Sequence, residues 1–178
     1  MKIWRIGLLG LAMLLAGCSG IDSDGPGEDP VKVGSAVPAF SVTLQDGNVF
    51  SSRDLDGQLS VIVFFHTTCS DCQRVLPLVQ QVYEKYRPAG VRFVCIARAQ
   101  GAAEIQAFWQ LNRLTLPWSA QEDRTVYSLF AASRIPRIYV VDRRGIIRSV
   151  YADNPTPTYE ALCNSLDALL PGSFEPFQ

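Results

Sequence analysis

The amino-acid sequence predicts an α/β domain in which helices cover both faces of a central mixed β-sheet and a β-hairpin comes first. An apolar run of strand length at residues 61–65 is typical of a strand buried on both faces. Helical spacing follows at residues 70–86, and a second apolar run occupies residues 91–97. A strand–helix–strand order that later ends in a hairpin and a helix is expected to form such a layered sheet.

Local patterns predict the remaining elements. Residues 40–44 and 48–51 are expected to pair as the N-terminal hairpin, because Asp46-Gly47 supplies the turn. Pro77 should kink the helix at 70–86 rather than end it, since the apolar spacing continues beyond it. Further helices are predicted at 102–111, 124–131 and 159–170, and a second hairpin is predicted from 137–142 and 146–151.

The bulk composition indicates one globular domain and excludes some partners. The 178 residues are 48% hydrophobic and 19% charged, which is unlike a disordered chain. Lys and Arg total 16 against 17 Asp and Glu, so no basic excess points to nucleic acid. No cofactor and no resident metal are predicted.

The N-terminus carries the pattern of an exported protein. Lys2 and Arg5 precede an apolar run at 6–15 that is too short to span a bilayer comfortably, which indicates a signal peptide over residues 1–17. Residues 15–18 resemble the lipobox of bacterial lipoproteins, in which cleavage leaves a lipid on the cysteine, here Cys18. A plain signal peptide with an incidental cysteine is the alternative. Polar residues 18–33 are predicted to form a flexible tether, and residues 34–178 the domain.

Cys69 and Cys72 form a Cys-x-x-Cys motif, a spacing typical of a redox pair or of half a metal site. Cys69 lies between the buried strand and the helix, where unpaired N–H groups favour a thiolate. Cys72, one turn further, is expected to be more buried and can attack a mixed disulfide formed at Cys69. Cys69 is thus predicted to be the nucleophile and Cys72 the resolving thiol. Cys95 and Cys163 are predicted to be small buried residues, with a bridge between them left open.

Residues 64–72, with Pro77 beyond them, resemble the active-site segment of thioredoxins. Residues 34–40 and 135–142 extend the resemblance to the TlpA/ResA-like branch, the membrane-tethered thioredoxin-fold proteins of bacterial envelopes. The resemblance implies a thioredoxin-like fold and a cis bond before Pro136, which would pack against the cysteines. It also implies that the backbone of Ile135 pairs with a substrate strand. A trans proline opening an edge strand is the alternative.

The same resemblance implies an envelope thiol–disulfide oxidoreductase that is anchored through lipid on Cys18 and faces the periplasm or exterior. Its partners would be disulfide-bearing exported proteins and a membrane thiol protein that donates electrons. The sequence departs from the pattern at Thr68, where the family usually has Trp, and at Val63, where thioredoxin has a buried acid. Gln100 stands near the place where some family reductases carry Glu. The proton acceptor for Cys72 is left open.

Charged residues near the pair are expected to set its redox direction. Asp71 between the cysteines disfavours a thiolate, whereas Arg134 and Arg137 beside Pro136 would favour it. We expect Asp71 to dominate, which favours a reductant. His66 is expected to line the site, relay protons or, with the two thiolates, bind a soft metal. The alternative function is a binding module for a partner protein or soft metal, without redox turnover.

Overall fold

Seven strands and four α-helices are found in residues 27–170, the part of the chain that the computed structural model describes. The predicted leader, Cys18 and most of the predicted tether lie outside these residues. The elements are β1 (Ser41–Thr43), β2 (Val49–Ser51), β3 (Ser60–Phe65), α1 (Ser70–Tyr86), β4 (Arg92–Ala97), α2 (Ala102–Leu111), β5 (Trp118–Ser119), α3 (Thr125–Ser128), β6 (Arg137–Val141), β7 (Ile147–Tyr151) and α4 (Tyr159–Asp167).

Five of the strands form one mixed sheet in the order β5-β4-β3-β6-β7. β3 and β4 are parallel, as are β4 and β5, whereas β6 runs antiparallel to both β3 and β7. β1 and β2 pair antiparallel as a separate two-stranded sheet. The predicted mixed sheet and N-terminal hairpin are confirmed. The short edge strand β5 was not predicted, and α3 and α4 are shorter than the patterns indicated.

The central strand β3 explains why the sequence shows an unbroken apolar run. Val61, Val63 and Phe65 pack in the cluster formed with α1, α2 and α4. Ile62 and Phe64 pack in the opposite cluster, which α3 and the β1–β2 hairpin cover. All five side chains are 3% exposed or less, and burying each contributes roughly 1.5–3 kcal/mol. The strand is therefore fixed from both faces, and so is the carboxyl end from which the chain enters α1.

α1 runs past Pro77 to Tyr86 as one helix, which confirms that Pro77 does not end it. At its C-terminal end, the Tyr86 hydroxyl donates to the Asp167 carboxylate at 2.7 Å and to the Cys163 carbonyl at 3.3 Å. These bonds fasten α4 to α1. Because α1 is held at this end and along its buried face, its N-terminus has a fixed position beside the edge of the sheet.

The segment just before residue 34 belongs to the packed domain rather than to the predicted tether. Val31 is 7% exposed within the second hydrophobic cluster. The Asp29 carboxylate lies 3.0 Å from Arg137 and accepts the backbone N–H of Ala132 at 3.0 Å. Val31 and Asp29 are enough to hold this segment against the domain, because residues far along the chain provide their contacts. The packed part of the chain therefore starts no later than Asp29.

Within residues 27–170 no helix combines the length and the apolar character that crossing a membrane requires.

Candidate active site

Cys69 caps the N-terminus of α1, and its thiol faces the loop that precedes β6. Its backbone is extended and its carbonyl accepts the Gln73 N–H at 3.0 Å, so the helix starts directly after it. The half-buried Sγ donates to the Ile135 carbonyl oxygen at 3.6 Å. The Ile135–Pro136 peptide bond is cis, the isomer that the resemblance implied. The structure thus brings together Cys69, Ile135 and Pro136.

Cys72 lies one turn further along α1 and is fully buried. Burial raises the pKa of the Cys72 thiol far above its ordinary value, and the neighbouring Cys69 and Asp71 act in the same direction. The backbone at His66 opposes the shift but does not outweigh it. Both thiols are free. This asymmetry, with one thiol accessible and the other buried and protonated, suits a nucleophile and a resolving residue.

Two glutamine side chains hold the loop between β3 and Cys69. Gln100, 7% exposed, accepts the Thr67 backbone N–H at 2.9 Å and donates to the Thr67 hydroxyl at 2.5 Å. Gln73 donates from its side-chain amide to the Thr67 carbonyl at 2.8 Å. All polar groups of Thr67 are therefore engaged by side chains. The amide of Gln100 positions this loop but has no titratable proton to exchange with Cys72.

His66 lies at the start of the same loop and lines a cleft of about 630 Å³ next to Cys69. Its Nδ1 accepts the Thr68 N–H at 3.3 Å and lies 3.0 Å from the Thr68 hydroxyl. An Nδ1 that accepts a backbone N–H carries no proton, so a neutral ring holds its proton on Nε2. The cleft also contains Arg134 and two further arginines that sequence reasoning missed, Arg98 and Arg124. No local pattern could have found those two, because they come from separate connections of the fold.

The two charges predicted to tune the pair have different positions. Asp71 stays beside the cysteines and forms an ion pair with Arg74 one turn further along α1. That partner has the i,i+3 spacing typical of helical ion pairs, a signal that the prediction for Asp71 left out. Arg137, 9% exposed, instead pairs with Asp29 on the face of the sheet opposite α1. The structure does not bring Arg137 to the cysteines.

Metal-ligating groups are dispersed in the described part of the chain. No three His, Cys, Asp or Glu side chains within residues 27–170 lie close enough together to hold a metal ion. Cys95 and Cys163 are buried and unbridged, which confirms their interpretation as small core residues. Burial alone raises the pKa of Cys95 far above its ordinary value.

Comparison with known proteins defines the class to which this fold and dithiol belong. The chain belongs to the AhpC/TSA family, whose family model matches residues 33–150. It is similar to the thiol-disulfide oxidoreductase ResA of Bacillus subtilis (strain 168), with 21% identity over 168 residues that cover 94% of this chain and 93% of that protein. ResA of Geobacillus thermodenitrificans is 23% identical over 141 residues, which cover 79% of this chain and 80% of that protein.

Solved structures agree on the fold. A thiol:disulfide interchange protein of the thioredoxin family from Chlorobium tepidum TLS has a TM-score of 0.68 and 21% identity, covering 78% of this chain and 98% of that one. The predicted thioredoxin-like fold is confirmed. The enzyme class is that of the thiol–disulfide oxidoreductases.

Proposed function

We propose that this protein is an envelope thiol–disulfide oxidoreductase that reduces disulfides of exported proteins. The observation that carries the proposal is the pairing of a half-buried Cys69 at the start of α1 with a fully buried Cys72 one turn behind it. A thiol at a helix N-terminus faces N–H dipoles that favour the thiolate, the form that attacks a disulfide.

The reaction transfers two electrons from the dithiol to the substrate. The Cys69 thiolate attacks one sulfur of the substrate disulfide, the S–S bond breaks, and the other substrate sulfur leaves and takes up a proton. Cys72 then gives up its proton and attacks the Cys69 sulfur. The Cys69–Cys72 disulfide forms, and the second substrate sulfur leaves as a thiol. Because burial raises the pKa of Cys72, its proton stays in place until the mixed disulfide brings a basic leaving sulfur to the site.

The balance of charges around Cys69 supports the reductive direction. The Asp71 side chain is 29% exposed, whereas its partner Arg74 is 67% exposed and Arg134 in the cleft is 63% exposed. Water screens the exposed arginines more than it screens the carboxylate. We therefore expect the Asp71 carboxylate, which the backbone holds beside the cysteines, to disfavour the thiolate more than the arginines of the open cleft favour it, which would stabilise the disulfide and make the dithiol a reductant.

Export and lipid attachment at Cys18 complete the proposal. The Leu-Ala-Gly-Cys run at 15–18 supports a lipid anchor, which would hold the domain at a membrane on the periplasmic or exterior side. Oxidised protein must be reduced again after each turnover. A thiol protein of the membrane is the partner proposed for that step.

A trapping experiment in cells tests this function. A Cys72→Ala variant cannot resolve the mixed disulfide, so it should accumulate exported proteins that dithiothreitol releases. Cys69→Ala is the matched control, because it keeps one thiol but lacks the nucleophile. Purified wild type should also reduce insulin and lose two free thiols on oxidation. Equal capture by both variants, or no change in the thiol count, would contradict the proposal and favour a binding module.

A further inference from the structure

The cleft beside Cys69 has a positive lining, although the chain as a whole has a formal net charge of −1. Among the residues that the structure describes, Arg98, Arg124 and Arg134 line it, and Asp153 is the acidic residue that lines it with them. The arginines come from three separate connections, after β4, before α3 and before β6, so the fold collects them at one place. Guanidinium groups bind carboxylates through paired N–H donors, which makes such a lining selective for acidic ligands.

One buried aromatic residue contacts the Arg98 side chain and the backbone of Arg134. The Arg98 guanidinium lies over the Tyr127 ring, 5.1 Å from its centroid. The Tyr127 hydroxyl donates to the Arg134 carbonyl at 2.6 Å. Tyr127 itself is 1% exposed and packs in the core. A ligand that meets groups already held in place loses less conformational entropy on binding, so the Arg98 side chain and the Arg134 backbone pre-organise this part of the cleft.

Arg134 has a backbone conformation that arginine rarely adopts, with φ at +68°. Such residues persist where the surroundings hold them, and they are common at functional sites. Its guanidinium Nη1 lies 3.8 Å from the Asp153 Oδ1, and that oxygen accepts no hydrogen bond from the residues described. The ion pair with Asp153 therefore involves no hydrogen bond to that oxygen, and the Arg134 guanidinium can offer its N–H donors to an incoming carboxylate.

We propose that this cleft binds an acidic segment of the substrate protein, with Asp or Glu residues close to the disulfide that Cys69 attacks. The inference rests on the proposed function, because that function is what brings a substrate disulfide to Cys69. Pairing between substrate carboxylates and the cleft arginines would bring acidic substrates to the thiol faster and hold them there longer, and it would weaken as salt rises.

Binding can be measured without any redox step. The Cys69→Ser/Cys72→Ser variant cannot exchange disulfides, so it is titrated with two labelled peptides that share one disulfide and differ only in flanking Glu or Lys. Fluorescence anisotropy at low salt should show about tenfold tighter binding of the Glu peptide, the sum of a few exposed ion pairs. The difference should shrink in salt. Equal binding of the two peptides would overturn the inference.

Adding one substitution to that variant locates the effect. Arg134→Asn removes one cleft charge, and asparagine tolerates the left-handed conformation. Arg113→Asn is the matched control, because Arg113 is also exposed and has φ at +53°, but it lines a different cavity at the end of α2. We expect Arg134→Asn to weaken binding of the Glu peptide about two- to fivefold. Arg113→Asn should leave it unchanged, and an equal loss in both variants would refute a role for the cleft.

Reduction of the same peptides by wild-type protein separates this inference from the function on which it rests. Faster reduction of the Glu peptide supports both. Preferred binding of the Glu peptide with reduction of neither contradicts the reductase function and leaves the acidic-ligand site standing. Reduction of both peptides at equal rates, with equal binding, contradicts the acidic-ligand site alone.

Discussion

Gln100→Leu tests whether catalysis requires the loop before Cys69 to be held in place. The change keeps the side chain close to its size but removes the acceptor for the Thr67 N–H and the donor to the Thr67 hydroxyl. Thr67 is 6% exposed, so water cannot easily replace the lost partner. A buried polar group left without a partner lowers stability by about 1–3 kcal/mol. We expect the free energy of unfolding in urea to fall by that amount.

The effect on activity should exceed what lower stability explains. Thr67 stands two residues before Cys69, so a freed loop moves the thiol relative to Ile135. Since a misplacement of about 1 Å can slow a reaction about 100-fold, we expect insulin reduction by Gln100→Leu to slow at least about tenfold. The assay is run at a temperature where circular dichroism shows that the variant is folded.

Gln80→Leu provides the matched control. Gln80 is also 7% exposed; it accepts the Thr115 and Leu116 N–H groups at 2.8 and 3.1 Å and donates to the Thr115 hydroxyl at 2.7 Å. It fixes a loop in the same manner as Gln100 but lies about three turns beyond Cys69 on α1. Its loss should lower stability similarly and leave the insulin rate of the folded protein unchanged. Equal rates in the two variants would refute the positioning role of Gln100.

Three further predictions concern the thiols, their charges and the anchor. Iodoacetamide at neutral pH should label Cys69 well before Cys72, since burial raises the pKa of Cys72 and blocks access to it. Asp71→Asn should raise the midpoint potential by up to about 30 mV, and Arg74→Gln should lower it, because the first removes and the second unmasks a charge that repels the thiolate. Cys18→Ala should block lipid attachment and cleavage by signal peptidase II.

Each of these has a decisive readout. Peptide mass spectrometry that finds Cys72 labelled first would reverse the assigned roles. If glutathione titrations show that Asp71→Asn and Arg74→Gln shift the midpoint reduction potential in the same direction, these charges do not set the potential of the cysteine pair by electrostatics. A mature protein of unchanged mass after Cys18→Ala would show that the lipobox interpretation is wrong.

Apolar patterns predicted the elements that pack against the core over many residues. β3 and α1 lie near their predicted bounds because β3 contains an unbroken run of five apolar residues and α1 repeats its apolar residues with helical spacing. β5 was missed because the two residues Trp118–Ser119 are too few to show any period. α3 ends at Ser128, four residues after its N-cap Arg124, while Phe130 and Ala131 are buried beyond its end. The spacing of apolar residues alone does not show whether a buried residue lies within a helix or beyond its end.

The active site was predictable where chemistry is local in sequence. Cys69 and Cys72 needed only their spacing and the helix that follows. Contacts between distant residues were beyond the sequence: nothing local links Asp29 to Arg137, or Gln100 to Thr67. Arg137 was expected near the cysteines because it follows Pro136, but residues adjacent in a strand point to opposite faces of the sheet.

The ion pair between Asp29 and Arg137 shortens the distance that the domain could move away from a lipid anchor on Cys18. If Cys18 carries lipid, the residues between it and Asp29 could span at most about 40 Å even when fully extended, against the longer distance that a boundary at residue 34 would allow. The catalytic thiol would then be confined to a thin layer next to the bilayer. Substrate proteins would then have to enter this layer to reach the thiol.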